Sequence, residues 1–195
     1  MCGIAGIIHF DGGPVPQGLV EEMCDTLRHR GPDDHGVVYF PMSASPSGGV
    51  AAALGNQRLS IIDVAGGYQP IGNEDGTIWA TFNGEIYNFR ELRRELSYLG
   101  HEFATGTDTE VIAEGLAAWG PDVFERFNGM FAVAAYNNRT RELTLSRDRF
   151  GTKPLYYWFT PKTLVFASEI KAILRHQDFT TELNPYALND LLCNF

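Results

Sequence analysis

Met1-Cys2-Gly3-Ile4-Ala5-Gly6 opens the chain and continues into Ile7-Ile8-His9-Phe10 before Asp11-Gly12-Gly13-Pro14. Residues 4–10 form a short apolar run closed by turn residues, the pattern of a buried strand. Cys2 stands directly in front of that strand. Aminopeptidases can remove a methionine that precedes a small side chain, and removal of Met1 makes Cys2 the N-terminus. A thiol and an α-amine then share one Cα. The amine, with a reference pKa of about 7.7–8.0, is partly neutral near pH 7 and can take a proton; the thiol, at about 8.5, is a strong nucleophile once ionised. One residue thereby supplies both nucleophile and base. On position alone, the alternative is a small apolar residue that merely begins a strand.

The chain has 195 residues, 44% hydrophobic and 12% aromatic, enough to bury a sizeable core and most simply read as a single domain over residues 1–195. The net charge is −9, and no Lys/Arg-rich run stands out. Nucleic acid and anionic membrane are therefore not expected partners. There is no apolar stretch of about 18 residues and no basic-then-apolar leader, so a cytoplasmic protein is expected. Cys2, Cys24 and Cys193 fit neither a disulfide framework nor CxxC spacing. His9, His29, His35, His101 and His176 form no HExxH-like cluster, so no metal site is expected. Asn138-Arg139-Thr140 matches a glycosylation sequon but reads as a turn.

Leu19, Val20, Met23, Cys24 and Leu27 recur at helical spacing up to a stop at Gly31-Pro32, which makes Cys24 a core residue. Residues 37–40 and 50–54 read as paired strands around a loop at 41–49. Residues 66–76 read as another loop, and 77–82 as a strand that ends at Asn83-Gly84. Asn88 with Glu91 has the form of an N-cap pair opening a helix through Leu99. Asp108 stands where a second helix begins, at 109–119, and Gly120-Pro121 stops it. Residues 130–136, 142–146, 155–159 and 163–167 read as strands in antiparallel meanders, and 169–175 and 185–192 as helices. Strands cluster without βαβ alternation, so an α+β fold of two packed sheets flanked by helices is expected. The apolar ending Leu191-Leu192-Cys193-Asn194-Phe195 reads as a cut, or as a docked last helix.

Five segments carry a resemblance when taken together. They are Met1-Cys2-Gly3-Ile4-Ala5-Gly6, Arg28-His29-Arg30-Gly31-Pro32-Asp33, Arg58-Leu59-Ser60-Ile61-Ile62-Asp63, Asn83-Gly84-Glu85-Ile86-Tyr87-Asn88 and Gly106-Thr107-Asp108-Thr109-Glu110. In this order they closely resemble the glutaminase domain of glutamine-hydrolysing asparagine synthetases, which are class II glutamine amidotransferases of the N-terminal-nucleophile hydrolase fold. Asn128-Gly129-Met130-Phe131-Ala132, Arg147-Asp148-Arg149-Phe150-Gly151, Lys153-Pro154-Leu155-Tyr156-Tyr157 and Ala167-Ser168-Glu169-Ile170-Lys171 agree, so the resemblance covers nearly the whole chain.

The resemblance implies a four-layer αββα sandwich of two mainly antiparallel sheets. It also implies hydrolysis of L-glutamine to L-glutamate and ammonia. The ammonia would pass to a C-terminal synthetase domain, absent from this chain, that uses ATP and magnesium to amidate aspartate. No cofactor is expected in the present domain, and a homodimer is compatible with the reading. No GxxxxGK[ST] phosphate loop is present. Ser47-Gly48-Gly49 matches the start of a nucleotide pyrophosphatase loop, but Val50-Ala51-Ala52 follows instead of an Asp-Ser pair, so it reads as a flexible loop. The alternatives are an amidotransferase with another acceptor, such as a sugar acid; a glutaminase domain serving phosphoribosylamine, glucosamine or glutamate synthesis; and a catalytically silent docking module.

Glutamine is a zwitterion with an amide at its far end. Its recognition calls for a cation, an anion, a nucleophile and oxyanion donors. By resemblance Cys2 is the nucleophile, Arg58 holds the α-carboxylate through a planar fork, and Asp108 receives the α-ammonium. Asn83 and Gly84 supply the oxyanion hole, while Glu85 and the backbone of Leu59, Ser60, Ile61 and Ile62 line the pocket. Local sequence leaves other roles open. Arg58 could be a charge at a strand end, Asp108 a helix cap, and Asn83-Gly84 a type I′ hairpin, a signal that Asn128-Gly129 repeats. Arg30 and Asp33 could brace the pocket as an ion pair, or Arg28 and Arg30 could simply sit at a helix C-terminus.

Overall fold

β1 (Gly3–His9) is the middle strand of a five-stranded sheet, with order β2-β3-β1-β9-β8. Its companions are β2 (Asp34–Pro41), β3 (Val50–Arg58), β8 (Tyr156–Phe159) and β9 (Thr163–Ala167), all antiparallel to their neighbours. A second antiparallel sheet has the order β4-β5-β6-β7, from β4 (Ile71–Gly72), β5 (Ile78–Ile86), β6 (Gly129–Asn137) and β7 (Glu142–Arg147). The helices are α1 (Leu19–Asp25), α2 (Phe89–Tyr98), α3 (Asp108–Trp119), α4 (Val123–Arg126), α5 (Ile170–Ile173) and α6 (Pro185–Asn194). This computed structural model describes residues 1–41, 50–63 and 66–194. The loop reading at 41–49, beyond Pro41, and the Ser47-Gly48-Gly49 reading lie outside the described residues.

The period-2 alternation of strand side chains sorts the layers. In β1, Ala5 and Ile7 pack with α1 and α5, whereas Ile4 and Ile8 face the other sheet. In β6, Phe131, Val133 and Ala135 pack with α2 and α3, whereas Ala132, Ala134 and Tyr136 meet the first sheet. Three apolar clusters thus separate four layers, and the expected αββα sandwich is present. Each large aliphatic side chain buried this way contributes about 1.5–3 kcal/mol. Gly6 is required by the middle layer, because a Cβ there would lie 2.4 Å from the Phe166 ring and 2.6 Å from the Ala53 carbonyl.

Several local expectations are corrected by long-range contacts. β5 does not end at Asn83-Gly84; it runs to Ile86, with Asn83 opposite Ala132 and Gly84 opposite Phe131. Pairing with β6 overrides the hairpin signal of the dipeptide. The loop at 66–76 contains β4, a two-residue strand that pairs with β5 through Ile71–Ala80 and Gly72–Trp79. α1 stops at Asp25, and residues 26–30 are turns in which Leu27 and Arg30 donate to the carbonyls of Cys24 and Leu27. Asn88 precedes α2 but makes no cap bond. Its amide instead donates to Arg126 O and accepts from Asn128 N, both at 2.9 Å, tying α2 to the start of β6. α3 is capped by Thr107, whose Oγ1 accepts from Glu110 N, so Asp108 is its first residue and not its cap.

Candidate active site

The start of β1, the end of β3, the middle of β5 and the start of α3 meet at a cleft of about 200 Å³. Cys2, Arg58, Leu59, Ile61, Ile62, Asn83, Gly84, Glu85 and Asp108 all line it. Ser60 does not. Its N–H turns away to Asp33 Oδ2 at 2.9 Å, which corrects the expectation for that residue.

Cys2 Sγ lies 3.4 Å from Leu59 N and 3.6 Å from Leu59 O. The carbonyl can accept from a thiol and the amide can donate to a thiolate, so the Leu59 backbone offers a partner to either state. Arg58 is 4% exposed, and its Nη2 donates to Ile62 O at 3.0 Å and Asp63 O at 2.7 Å. Its guanidinium therefore holds the loop that follows β3 while lining the cleft. The surface-charge alternative does not hold for a side chain buried this deeply.

Asn83 is 1% exposed, and its Nδ2 is buried without a hydrogen-bond partner. An orphaned buried donor costs about 1–3 kcal/mol. One that faces a cleft is a ready donor for a ligand oxygen. Gly84 adds a second donor by register. In an antiparallel pair, alternate N–H groups point to opposite edges. Tyr87 N donates to Asn128 O, toward β6. Ile86, Gly84 and Phe82 therefore direct their N–H groups to the other edge, where Ile86 N finds Asp108 Oδ2 and Phe82 N finds Gln69 Oε1. The Gly84 N–H leaves between these two, on the edge beyond the short β4. A side chain at Gly84 is excluded, because a Cβ would sit 2.1 Å from Met130 O.

Asp108 is 5% exposed. Burial pushes its carboxyl up to about 6 against the opposing bond from Ile86 N, and the charge of Glu85 adds to the rise. A buried carboxylate that is costly to ionise alone is stabilised by an incoming cation.

The proposed Arg30–Asp33 ion pair does not form. Gly31 packs so closely on β3 that a Cβ would lie 2.4 Å from Gln57 O. Arg30 reaches Cys2 O and Glu169, while Asp33 reaches Ser60 N. Other cleft residues escaped local reading. Gln69 bonds to Phe82, Asn56 and Thr109 and so stiffens the free edge of β5. Lys153, 6% exposed, also lines the cleft, and its Nζ lies 3.4 Å from Met1 Sδ. Asp148 shapes the loop that delivers Lys153, accepting from the N–H groups of Phe131, Phe150, Thr152 and Lys153. Gln69 lies in a segment readable only as loop. Lys153 had a signal in the Lys-Pro-Leu-Tyr-Tyr run, but nothing local tied it to Cys2. Among the described residues no three His, Cys, Asp or Glu side chains gather as metal ligands.

Cys2 thus stands at the head of a central strand, in an αββα sandwich, and shares its cleft with the orphaned Asn83 Nδ2. A family model described as a glutamine amidotransferase domain matches residues 1–195, and the chain belongs to that family. It is 36% identical over 194 residues to asparagine synthetase (glutamine-hydrolyzing) 3 of Bacillus subtilis (strain 168), covering 98% of this chain and 30% of that protein. It is 39% identical over 183 residues to asparagine synthetase (glutamine-hydrolyzing) 1 of the same organism, covering 91% of this chain and 27% of that protein. The chain thus spans less than a third of the length of these two relatives. A solved structure of glutamine phosphoribosylpyrophosphate amidotransferase from B. subtilis, complexed with ADP and GMP, matches the fold with a TM-score of 0.69 at 22% identity, over 88% of this chain and 43% of that one.

Proposed function

We propose that this domain hydrolyses L-glutamine to L-glutamate and ammonia, with Cys2 as nucleophile after removal of Met1. The thiolate attacks the side-chain amide carbon. The amine of Cys2 takes the thiol proton and returns it to the leaving nitrogen, so ammonia departs as the C–N bond breaks. Water then adds to the γ-glutamyl thioester, releasing glutamate and restoring the thiol. Asn83 Nδ2 and Gly84 N–H stabilise the oxyanion of both tetrahedral intermediates. Arg58 holds the α-carboxylate and Asp108 the α-ammonium, while Glu85 and residues 59, 61 and 62 shape the pocket around the side chain. Thiol, amine and two N–H donors complete this chemistry without a cofactor.

The observation that carries the reading is the partnerless Asn83 Nδ2, on a residue lining the cleft that holds the Cys2 sulfur. In the full-length protein we place the ammonia's use in a C-terminal domain of the kind its relatives carry, which would activate aspartate with ATP and magnesium to give asparagine in the cytoplasm. No helix among the described residues is long and apolar enough to cross a membrane. The test is ammonia release by processed wild type and processed Cys2→Ala, with Met1 removal confirmed by intact mass. Wild type alone should release ammonia. Equal release by both would end the proposal. Chain that retains Met1 should be inactive, because its base is locked in a peptide bond.

A further inference from the structure

Two cations, Arg30 and Lys171, and the His29 imidazole converge on Glu169, at the turn between β9 and α5. Its Oε1 accepts from Arg30 Nη1 at 2.9 Å and pairs with His29 Nε2 at 2.9 Å, and its Oε2 pairs with Lys171 Nζ at 3.0 Å. Partial burial opposes ionisation of this carboxyl, and the hydrogen bonds from Arg30, Lys171 and His29 outweigh it, holding the pKa at about 2. Arg30, with its side chain 9% exposed, directs Nε to the carbonyl oxygen of Cys2 at 3.0 Å. The neighbouring Ser168 exchanges two bonds with Ile4: Ile4 N donates to Ser168 Oγ at 2.9 Å, and Ser168 N donates to Ile4 O at 2.8 Å. The head of β1 is therefore gripped from one turn, through Arg30 at Cys2 and directly at Ile4.

This grip matters most after processing. A de-blocked Cys2 keeps only one peptide link, and its carbonyl is the handle that sets how the thiol and amine leave Cα. A hydrogen bond from a charged donor is stronger than one between neutral groups, and it favours one orientation of a terminal residue's carbonyl. Glu169 is not among the cleft-lining residues, and Arg30 bridges it to Cys2.

We infer that Glu169 is a positioning residue for the nucleophile: by anchoring Arg30 it fixes the Cys2 carbonyl and aims the thiol and amine into the cleft. Its effect on turnover rests on the glutaminase reading, whereas its effect on the Cys2 thiol does not. Glu169 also balances the Arg30 charge. In E169Q that charge faces Cys2 uncompensated and favours the thiolate over the thiol, while the other charged groups of the cleft, Arg58, Glu85, Asp108 and Lys153, stay as they are.

The test uses processed wild type, E169A, E169Q and E169D. Steady-state ammonia release is measured together with the pH dependence of iodoacetamide alkylation at Cys2, mapped apart from Cys24 and Cys193. In E169A we expect kcat to fall by roughly 10–100-fold with KM within about twofold, the scale of a small misalignment of reacting groups. In E169Q the alkylation midpoint should move down by about half a pH unit or more, and E169D should recover part of the lost kcat. Wild-type kcat and an unmoved alkylation profile in E169A would overturn the inference. So would kcat and KM failing together in step with a lowered Tm, which is the mark of a merely structural role. If E169A does not fold, E169Q decides by the same criteria. If wild type releases no ammonia, the glutaminase reading fails, and the alkylation profiles still decide the role of Glu169.

Discussion

Asp108 Oδ2 accepts the backbone N–H of Ile86 at 3.1 Å, which ties the first residue of α3 to the strand that carries Asn83 and Gly84. The anion proposed for the ammonium of glutamine and the donors proposed for its oxyanion are therefore held on one frame. Burial raises this carboxyl to about 6, so the charge that attracts the ammonium is lost as pH falls through that value. KM for glutamine should rise about tenfold between pH 7 and pH 5, and Asp108→Asn should show a high KM without that pH dependence. The stability sign is opposite to that of an ordinary ion pair. The folded pKa lies above the unfolded one, so the ionised carboxylate destabilises the fold fully above about 6 and not at all below about 4. Asp108→Asn should therefore be more stable than wild type at pH 7, by on the order of 2–3 kcal/mol, and the gap should close at pH 4 in urea titrations.

Asn83→Ala separates catalysis from stability. The amide nitrogen has no protein partner, so its removal leaves no donor or acceptor stranded on that side. The expected result is a fall in kcat of roughly 10²–10³-fold, the usual worth of one oxyanion donor, with little change in KM and a Tm close to wild type. A large loss of Tm with kcat retained would assign the amide a structural role instead.

Gly84→Ala should act through the backbone. The new Cβ would meet Met130 O at 2.1 Å and Phe131 Cα at 2.7 Å, neither of which can move without shifting β6. A destabilisation of about 1–3 kcal/mol is expected, together with loss of ammonia release, because the oxyanion edge of β5 moves with the strand. A crystal structure of the variant with β5 and β6 undisplaced would contradict this account.

Asp148 is a buried carboxylate that accepts from four backbone N–H groups around the loop carrying Lys153. Burial opposes its ionisation, and the bonds from Thr152 and Lys153 prevail and hold the carboxyl below its ordinary range. Its contribution to stability is therefore present above pH 4 and lost as pH falls through the folded value. Asp148→Ala should cost on the order of 3 kcal/mol at pH 7, since several donors lose their acceptor. The difference from wild type should shrink in denaturant titrations as pH falls below the ordinary carboxylate range.

Much of this molecule was legible in its residues. The apolar run at 4–10, the helical repeat through Leu19, Val20, Met23 and Cys24, and the alternating strands at 130–136 and 163–167 all appear where their periodicities place them. Misreadings cluster where a local signal met a stronger distant partner. Asn83-Gly84 signals a turn but is paired with β6, and Asn88 signals a cap but bonds to Arg126 and Asn128. Arg30 and Asp33 are close in sequence and of opposite charge, yet each finds a better partner elsewhere.

By itself the chain determined the chemistry available to it: a thiol one residue from the N-terminus, an apolar strand behind it, and an ordered set of charged and amide side chains whose types suit a free amino acid. Tertiary structure decided which of those groups face one another. Periodicity and propensity act over a few residues, whereas the open N–H of Gly84, the orphaned Asn83 amide and the Glu169–Arg30 pair arise only when strands and turns as many as 139 residues apart are brought into register.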